Sequence, residues 1–353
     1  MSVERLVVND DSELQIYLQG LMRDRKIPGA QIVVIKNREI VYSDSLGYAD
    51  LENKILVSQD SVFSINSIAK AFTGVAVMQL VEEGLLDLSS EVSNYLDDLP
   101  EAWKGISIRQ LASLMSGLPD VMTVGMDGSV GLIGDGTDSS AWLMAYEMPT
   151  IFKPGTKFNY SQTDYALLGR VIEKISGMSF TDFIIERQLI PVGMSNTKYA
   201  NDRDIIDGRA TTYNSLYPAT GEDTGISRSC LNWPDMLRPA AGLHSTAIDL
   251  AHWVIALQNS SLLKSSSYSV LREPIALTDG SVGIMGIGWL STPGASGYVS
   301  VPSGGCKSQI TVYQDGLAII LLTNLIGGLY EHLSAVSGDP ISLGVMDEIA
   351  SYF

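Results

Sequence analysis

Cysteine, histidine and positive charge are scarce in this chain. Two cysteines, Cys230 and Cys306, stand among 353 residues, and two cannot make a disulfide framework. The three histidines, His244, His252 and His332, form no His-x-x-x-His pair, and no Cys-x-x-Cys occurs. The usual zinc-ligand spacings are therefore missing, and no metal or other cofactor is expected. Lysine and arginine total 23 against 40 acidic residues, a net charge of −17. That balance argues against nucleic acid, which needs clustered cations, and against anionic membrane surfaces. No run approaches the roughly 18 apolar residues of a membrane span; the nearest, Leu317 to Leu322, has the length of a buried strand. The first residues lack a basic segment followed by an apolar run, so a cytoplasmic protein is expected, with a mature secreted form as the alternative. A Gly-x-Ser-x-Gly elbow is missing too, which speaks against an α/β-hydrolase.

Hydrophobic residues make up 45% and charged residues 18%, the composition of a globular chain with a large core. Helical apolar spacing covers Ser12–Arg25, Ala71–Glu83, Ile108–Met115, Ala141–Glu147, Thr163–Ile175, Thr181–Gln188, Ala247–Gln258 and Ser342–Tyr352. Strand-like runs cover Ala30–Ile35 and Ile40–Leu46, split by a Lys36-Asn37-Arg38-Glu39 turn, and then Gly286–Ser291, Tyr298–Val301, Gln309–Tyr313 and Leu317–Thr323. The loop Val124–Asp138 carries five glycines and suits the lid or wall of a site. Strands thus gather at both ends and helices in the middle. The expected fold class is α+β: one antiparallel sheet from both termini, flanked by helices, with a mainly helical domain inserted. The division expected is 1–70 with 245–353 for the sheet domain and 71–244 for the helical one, with a site at their seam.

Ser-x-x-Lys occurs three times, at Ser67/Lys70, Ser195/Lys198 and Ser261/Lys264. Ser195 follows Gly193-Met194 and reads as a loop, and Ser261, after Asn259-Ser260 and before a serine-rich tract, reads as a helix end or loop. Only Ser67 opens a long apolar helix. Residues three apart share a helix face, so the Ser67 hydroxyl and Lys70 amine can meet there. A hydroxyl becomes a useful nucleophile when a neighbouring base takes its proton. The outward N–H groups at a helix start suit a developing oxyanion. The plain structural alternative is a helix cap with a solvated lysine.

Two further segments fit such chemistry. Tyr160 follows the Pro154-Gly155 turn and precedes a helical run; a tyrosine beside an ammonium group can carry a proton as base and then acid. Pro302-Ser303-Gly304-Gly305-Cys306 lies between two strand runs, where glycines let a ligand approach the backbone. The structural alternatives are a half-buried tyrosine and an ordinary turn.

The order Ser-x-x-Lys, Tyr160-Ser161-Gln162, then a Gly-rich strand motif resembles the serine β-lactamase-like family: class C β-lactamases, penicillin-binding proteins and their esterase and peptidase relatives. Ile108 to Pro119 is similar to that family's "LLTHTSGLP" segment. Pro154 to Ser161 resembles "PGTxFxYSN", Pro191-Val192-Gly193-Met194 resembles "PLGM", and Ala241 to Ala251 resembles "GGLxSTAxDLA". The resemblance implies that Ser67 is acylated, that Lys70 is its base or proton relay, and that Tyr160 assists proton transfer and protonates the leaving group, the choice of base between Lys70 and Tyr160 being left open. It also implies an oxyanion hole from the N–H groups of Ser67 and Cys306, and substrate contacts at Gln162, Ser303, Gly304 and Gly305. Two positions depart from the family pattern. Gln162 replaces an asparagine and is one methylene longer. Ser303 replaces a lysine or histidine, which removes a cation suited to a substrate carboxylate. The expected partner is therefore a small-molecule or peptide acyl substrate, a neutral ester, amide or thioester rather than a β-lactam, used by a hydrolase or acyltransferase. A D-peptidase or β-lactamase, and a non-catalytic binding protein, are the alternatives. Whether the Cys306 side chain faces the site or the core, and the oligomeric state, stay open at this stage.

Overall fold

The computed structural model describes residues 11–125, 129–215, 225–326 and 341–353. Helix α1 (Asp11–Asp24) leads into strands β1 (Gly29–Lys36), β2 (Glu39–Asp50), β3 (Ile55–Leu56) and β4 (Phe63–Ser64). Helix α2 (Ala69–Glu82) follows, then α3 (Ile108–Ala112) and α4 (Gln162–Ser176). Next come β5 (Lys198–Tyr199), β6 (Leu243–Ser245) and α5 (Ala247–Gln258). Strands β7 (Ser291–Gly294), β8 (Gly297–Ser300), β9 (Ser303–Gly304), β10 (Ser308–Val312) and β11 (Ala318–Thr323) precede helix α6 (Ile341–Ala350).

Among the described residues the main sheet has eight strands in the order β7-β8-β10-β11-β1-β2-β3, with β9 paired to β10. Its pairings are antiparallel. Strand β1 sits at the centre, in register with β11 from Ala30 opposite Thr323 to Ile35 opposite Ala318. Alternate side chains of a strand face opposite sides of a sheet. Ile32, Val34, Ile319 and Leu321 accordingly pack on one side with Leu14, Leu18, Met346 and Ile349 of the terminal helices. Val33, Ile35, Ile320 and Leu322 pack on the other, in the larger core that includes α2, α4 and α5. A strand covered on both faces reads as a continuous apolar run, as β1 does.

The turn between β1 and β2 holds Asn37 and Arg38 at φ of 55° and 65°, the left-handed pair that a two-residue hairpin needs. In the larger core Phe72 of α2 stacks on Trp253 of α5 at 4.0 Å between ring centroids, and Trp253 on Trp289 at 5.7 Å. A second sheet of three short strands, β4-β6-β5, carries the chain into the turn that bears Ser67.

One expected element differs, and one helix was not expected. Gly286–Ser291 is mostly a turn, not a strand: the Gly286 N–H donates to the Trp289 carbonyl, Leu290 makes an isolated bridge with Met285, and the regular strand begins at Ser291. Gly288 has φ +80°, and a Cβ there would stand 2.5 Å from the Lys70 carbonyl oxygen. The segment bends because it is pressed against α2, which a sequence pattern of apolar residues does not show. The serine-rich tract after Lys264, to which the sequence pattern assigned no element, is helical, Ser265–Arg272. Tyr268 and Leu271 bury one face of it, and that tertiary burial outweighs the poor helix propensity of serine. In the glycine-rich segment, Met122–Val124 pairs with Val130–Leu132 as a small hairpin, while residues 126–128 lie outside the described residues. No helix among the described residues is long and apolar enough to cross a membrane.

Candidate active site

Ser67 lies in a 3-10 turn, Asn66–Ile68, that runs into α2. It is half-buried, whereas Lys70 in the first turn of α2 is 2% exposed. The other two Ser-x-x-Lys pairs are indeed outside helices, Ser195 in a turn before β5 and Ser261 in the loop before Ser265–Arg272. The Lys70 ammonium donates to Gln162 Oε1 at 2.8 Å and to the Ala240 carbonyl at 3.1 Å. It also lies 4.7 Å from the ring centroid of Tyr160 and 5.3 Å from that of Tyr165, within the range of cation–π attraction. Lys70, Tyr160 and Gln162 are therefore together, one helical turn from Ser67. The extra methylene of Gln162 does not break its contact with the lysine.

This cluster is fixed from behind. Thr73 Oγ1 donates to the Pro239 carbonyl at 2.6 Å, tying α2 to the segment that presents Ala240. The start of α4 is held by Asp120, whose carboxylate accepts from the Gln162 N–H at 3.2 Å and the Met122 N–H at 3.0 Å. Burial pushes the Asp120 carboxyl above the usual carboxylate range; the N–H bonds and the Lys70 charge oppose that shift. Asp164, wholly buried, is pushed well above its usual range by desolvation. The hydrogen bond from Ser116 opposes the shift, and the Asp120 charge adds to it. Ser116 Oγ donates to Asp164 Oδ1 at 2.5 Å. Tyr165 is held as a neutral phenol by burial and donates to the Ala112 carbonyl at 2.9 Å. Asp120, Asp164, Tyr165 and the Ala240 carbonyl were not among the residues expected from sequence. Asp120 had a signal, since it directly follows Ser116-Gly117-Leu118-Pro119; a backbone carbonyl has none.

The third motif folds as a hairpin. Ser303 and Gly304 pair with Gln309 and Ser308, and Gly305-Cys306-Lys307 form the turn. Strand β9 touches the nucleophile turn so closely that a Cβ on Gly304 would stand 2.2 Å from the Ile65 carbonyl oxygen. Only glycine fits there without displacing backbone. The Ser303 hydroxyl donates to the Val301 carbonyl at 2.8 Å and to Gln309 Oε1 at 3.3 Å. The Cys306 carbonyl accepts from Ser308 Oγ and Thr323 Oγ1. The question of the Cys306 side chain is answered: it is fully buried, and Asn66 Nδ2 donates to its sulfur at 2.9 Å. No cluster of His, Cys, Asp or Glu that could hold a metal occurs among the described residues.

The profile of the Beta-lactamase family matches residues 14–336, and the chain belongs to that family. Among curated relatives, the Protein flp of Staphylococcus aureus (strain MW2) is 28% identical over 257 residues, 71% of this chain and 49% of that protein. The chain thus spans about half the length of the first curated relatives it matches. Penicillin-binding protein 4* of Bacillus subtilis (strain 168) is 29% identical over 314 residues, 86% of this chain and 68% of that protein. Among solved structures, the D-amino acid amidase of Ochrobactrum anthropi SV3 superposes with a TM-score of 0.76 at 24% identity, covering 96% of this chain and 100% of that one. EstCE1, described as a hydrolase with promiscuous acyltransferase activity, gives 0.72 at 20% identity over 90% and 94%. At these identities the two structures speak for the fold alone.

Proposed function

We propose that this chain is a serine hydrolase or acyltransferase that works through an acyl-enzyme on Ser67 and takes a neutral ester, amide or thioester. The observation that carries the reading is the buried Lys70 ammonium, held by Gln162 and Ala240 beside the Tyr160 ring, one helical turn from Ser67. In acylation the Ser67 proton passes to whichever of Lys70 and Tyr160 holds the free basic site, an amine or a phenolate, as Oγ attacks the carbonyl carbon. Charge collects on the carbonyl oxygen, where the N–H groups of Ser67 and Cys306 would receive it. The bond to the leaving group then breaks as Tyr160 returns a proton to that group. Water or an alcohol or amine acceptor attacks the acyl-serine in the same way and restores the hydroxyl.

The substrate class follows from Ser303. A carboxylate-bearing substrate is best held by a cation that forms charge-assisted hydrogen bonds. Position 303 offers a neutral hydroxyl instead, and that hydroxyl is engaged within its own strand pair.

Intact-mass analysis after p-nitrophenyl acetate, a fluorophosphonate and a penicillin, with Ser67→Ala as control, tests the proposal. Adducts from the first two that vanish in the Ser67→Ala variant are expected. A lasting penicillin adduct would overturn the substrate class, and a folded protein that takes no adduct would instead be a binding protein on this fold.

A further inference from the structure

The two arms of the proposed oxyanion hole come from distant parts of the chain, and side chains join them. Asn66 precedes the nucleophile and holds a left-handed backbone, φ +45°. Its side chain is 3% exposed, accepts from Ser64 Oγ at 3.2 Å and donates to Cys306 Sγ at 2.9 Å. Asn66 and Cys306 are 240 positions apart in the chain. The Cys306 peptide is gripped on its other side by Ser308 and Thr323, which donate to its carbonyl. A thiol can accept when neutral, and burial, with the Asp202 charge in support, keeps this one protonated despite the Asn66 bond. Gly304 meanwhile brings the two arms into backbone contact at Ile65.

We infer that Asn66 and Cys306 are positioning residues, a side-chain clamp that fixes the aim of the Cys306 N–H relative to Ser67. The inference rests on the acyl-enzyme reading above. The clamp touches no substrate; it acts by holding two backbone donors at the spacing that a tetrahedral oxyanion requires. Oxyanion stabilisation depends on donors already placed where charge develops. A loosened clamp therefore weakens binding of the transition state and leaves the ground-state complex nearly intact.

The test compares wild type with Cys306→Ala, Cys306→Ser and Asn66→Gly. Glycine accepts the left-handed backbone at position 66 without strain, so that variant removes the side chain alone. Loss of the clamp should cost about ten- to hundredfold in kcat/KM for p-nitrophenyl butyrate, less than deletion of a whole oxyanion donor. Cys306→Ser supplies a hydroxyl that can accept from Asn66 and should restore most of the rate. The Ki of phenylboronic acid, which forms a tetrahedral adduct on serine, should rise by the same factor as kcat/KM falls. A merely structural contact would lower the melting temperature and leave that Ki unchanged. The clamp is refuted if both Cys306→Ala and Asn66→Gly keep the wild-type Ki and kcat/KM. Fluorophosphonate labelling of wild type separates the two claims: no adduct on wild-type Ser67 sinks the acyl-enzyme reading itself, whereas labelled wild type with unaffected variants sinks the clamp alone.

Discussion

Gln162 Oε1 accepts a 2.8 Å hydrogen bond from Lys70 Nζ. The backbone N–H of the same glutamine donates to Asp120. One residue thus links the buried ammonium to the start of α4, and the longer amide reaches its partner because the helix start is fixed by that carboxylate.

Removing this amide leaves Lys70 with the Ala240 carbonyl and two ring faces. Gln162→Ala should lower kcat/KM for an activated ester by about 10²- to 10⁴-fold, the usual range for disturbed proton transfer. Gln162→Asn, one methylene short, should fall between Gln162→Ala and wild type. Steady-state kinetics on the three proteins decides it, and equal rates would show that Ala240 alone holds the lysine.

On the proposed reading, Ser303 sets the charge preference. Ser303→Lys would place a cation beside the site and should allow a lasting penicillin adduct on Ser67, with little gain towards p-nitrophenyl acetate. Intact mass after penicillin treatment reads the outcome directly. An unmodified Ser303→Lys variant that still labels with fluorophosphonate would place the carboxylate preference elsewhere in the site.

Asp164 couples stability to pH. Its folded-state pKa is raised by burial above the ordinary value of 3.8. Below that value both states are protonated and the group costs nothing. As pH rises, the unfolded chain ionises first and the folded state falls behind, so stability is lost up to the folded-state pKa. Asp164→Asn lacks this loss. Urea unfolding at about pH 4.5 and about pH 7.5 should show wild type weakening relative to the variant. The loss should be about 1.4 kcal/mol for each pH unit crossed between the unfolded and folded pKa values. The difference between the two proteins cancels the general repulsion of an acidic chain, and parallel pH curves would contradict the prediction.

Much of this arrangement was legible in the sequence because it depends on local pattern. Ala247–Gln258 is a helix with the bounds its apolar spacing gives. The β1–β2 hairpin follows from Asn37 and Arg38 between two apolar runs. The grouping of Lys70 with Tyr160 and Gln162 follows from motif order in a known family. What the pattern missed depends on contacts made across the fold. The Gly286–Ser291 bend is imposed by α2, and the Ser265–Arg272 helix by burial of Tyr268 and Leu271. The Asn66–Cys306 bond joins side chains whose types alone name no partner.

The central place of β1 has a consequence for how the molecule comes into being. The Gly29 N–H donates to Asn324 Oδ1, a partner 295 positions later in the chain. At a ribosomal pace of about 5–20 residues per second, β1 would wait roughly 15–60 s for its neighbour β11. During that wait a strand made to be covered on both faces has neither β11 nor the terminal helix α6 against it. Sheets closed by such distant pairs assemble late and slowly. The turn that carries Ser67 leans on Gly304 and Cys306, from the same late segment. On the acyl-enzyme reading, a nascent chain would thus remain chemically silent, and in need of protection from its own kind, until β9 to β11 arrive.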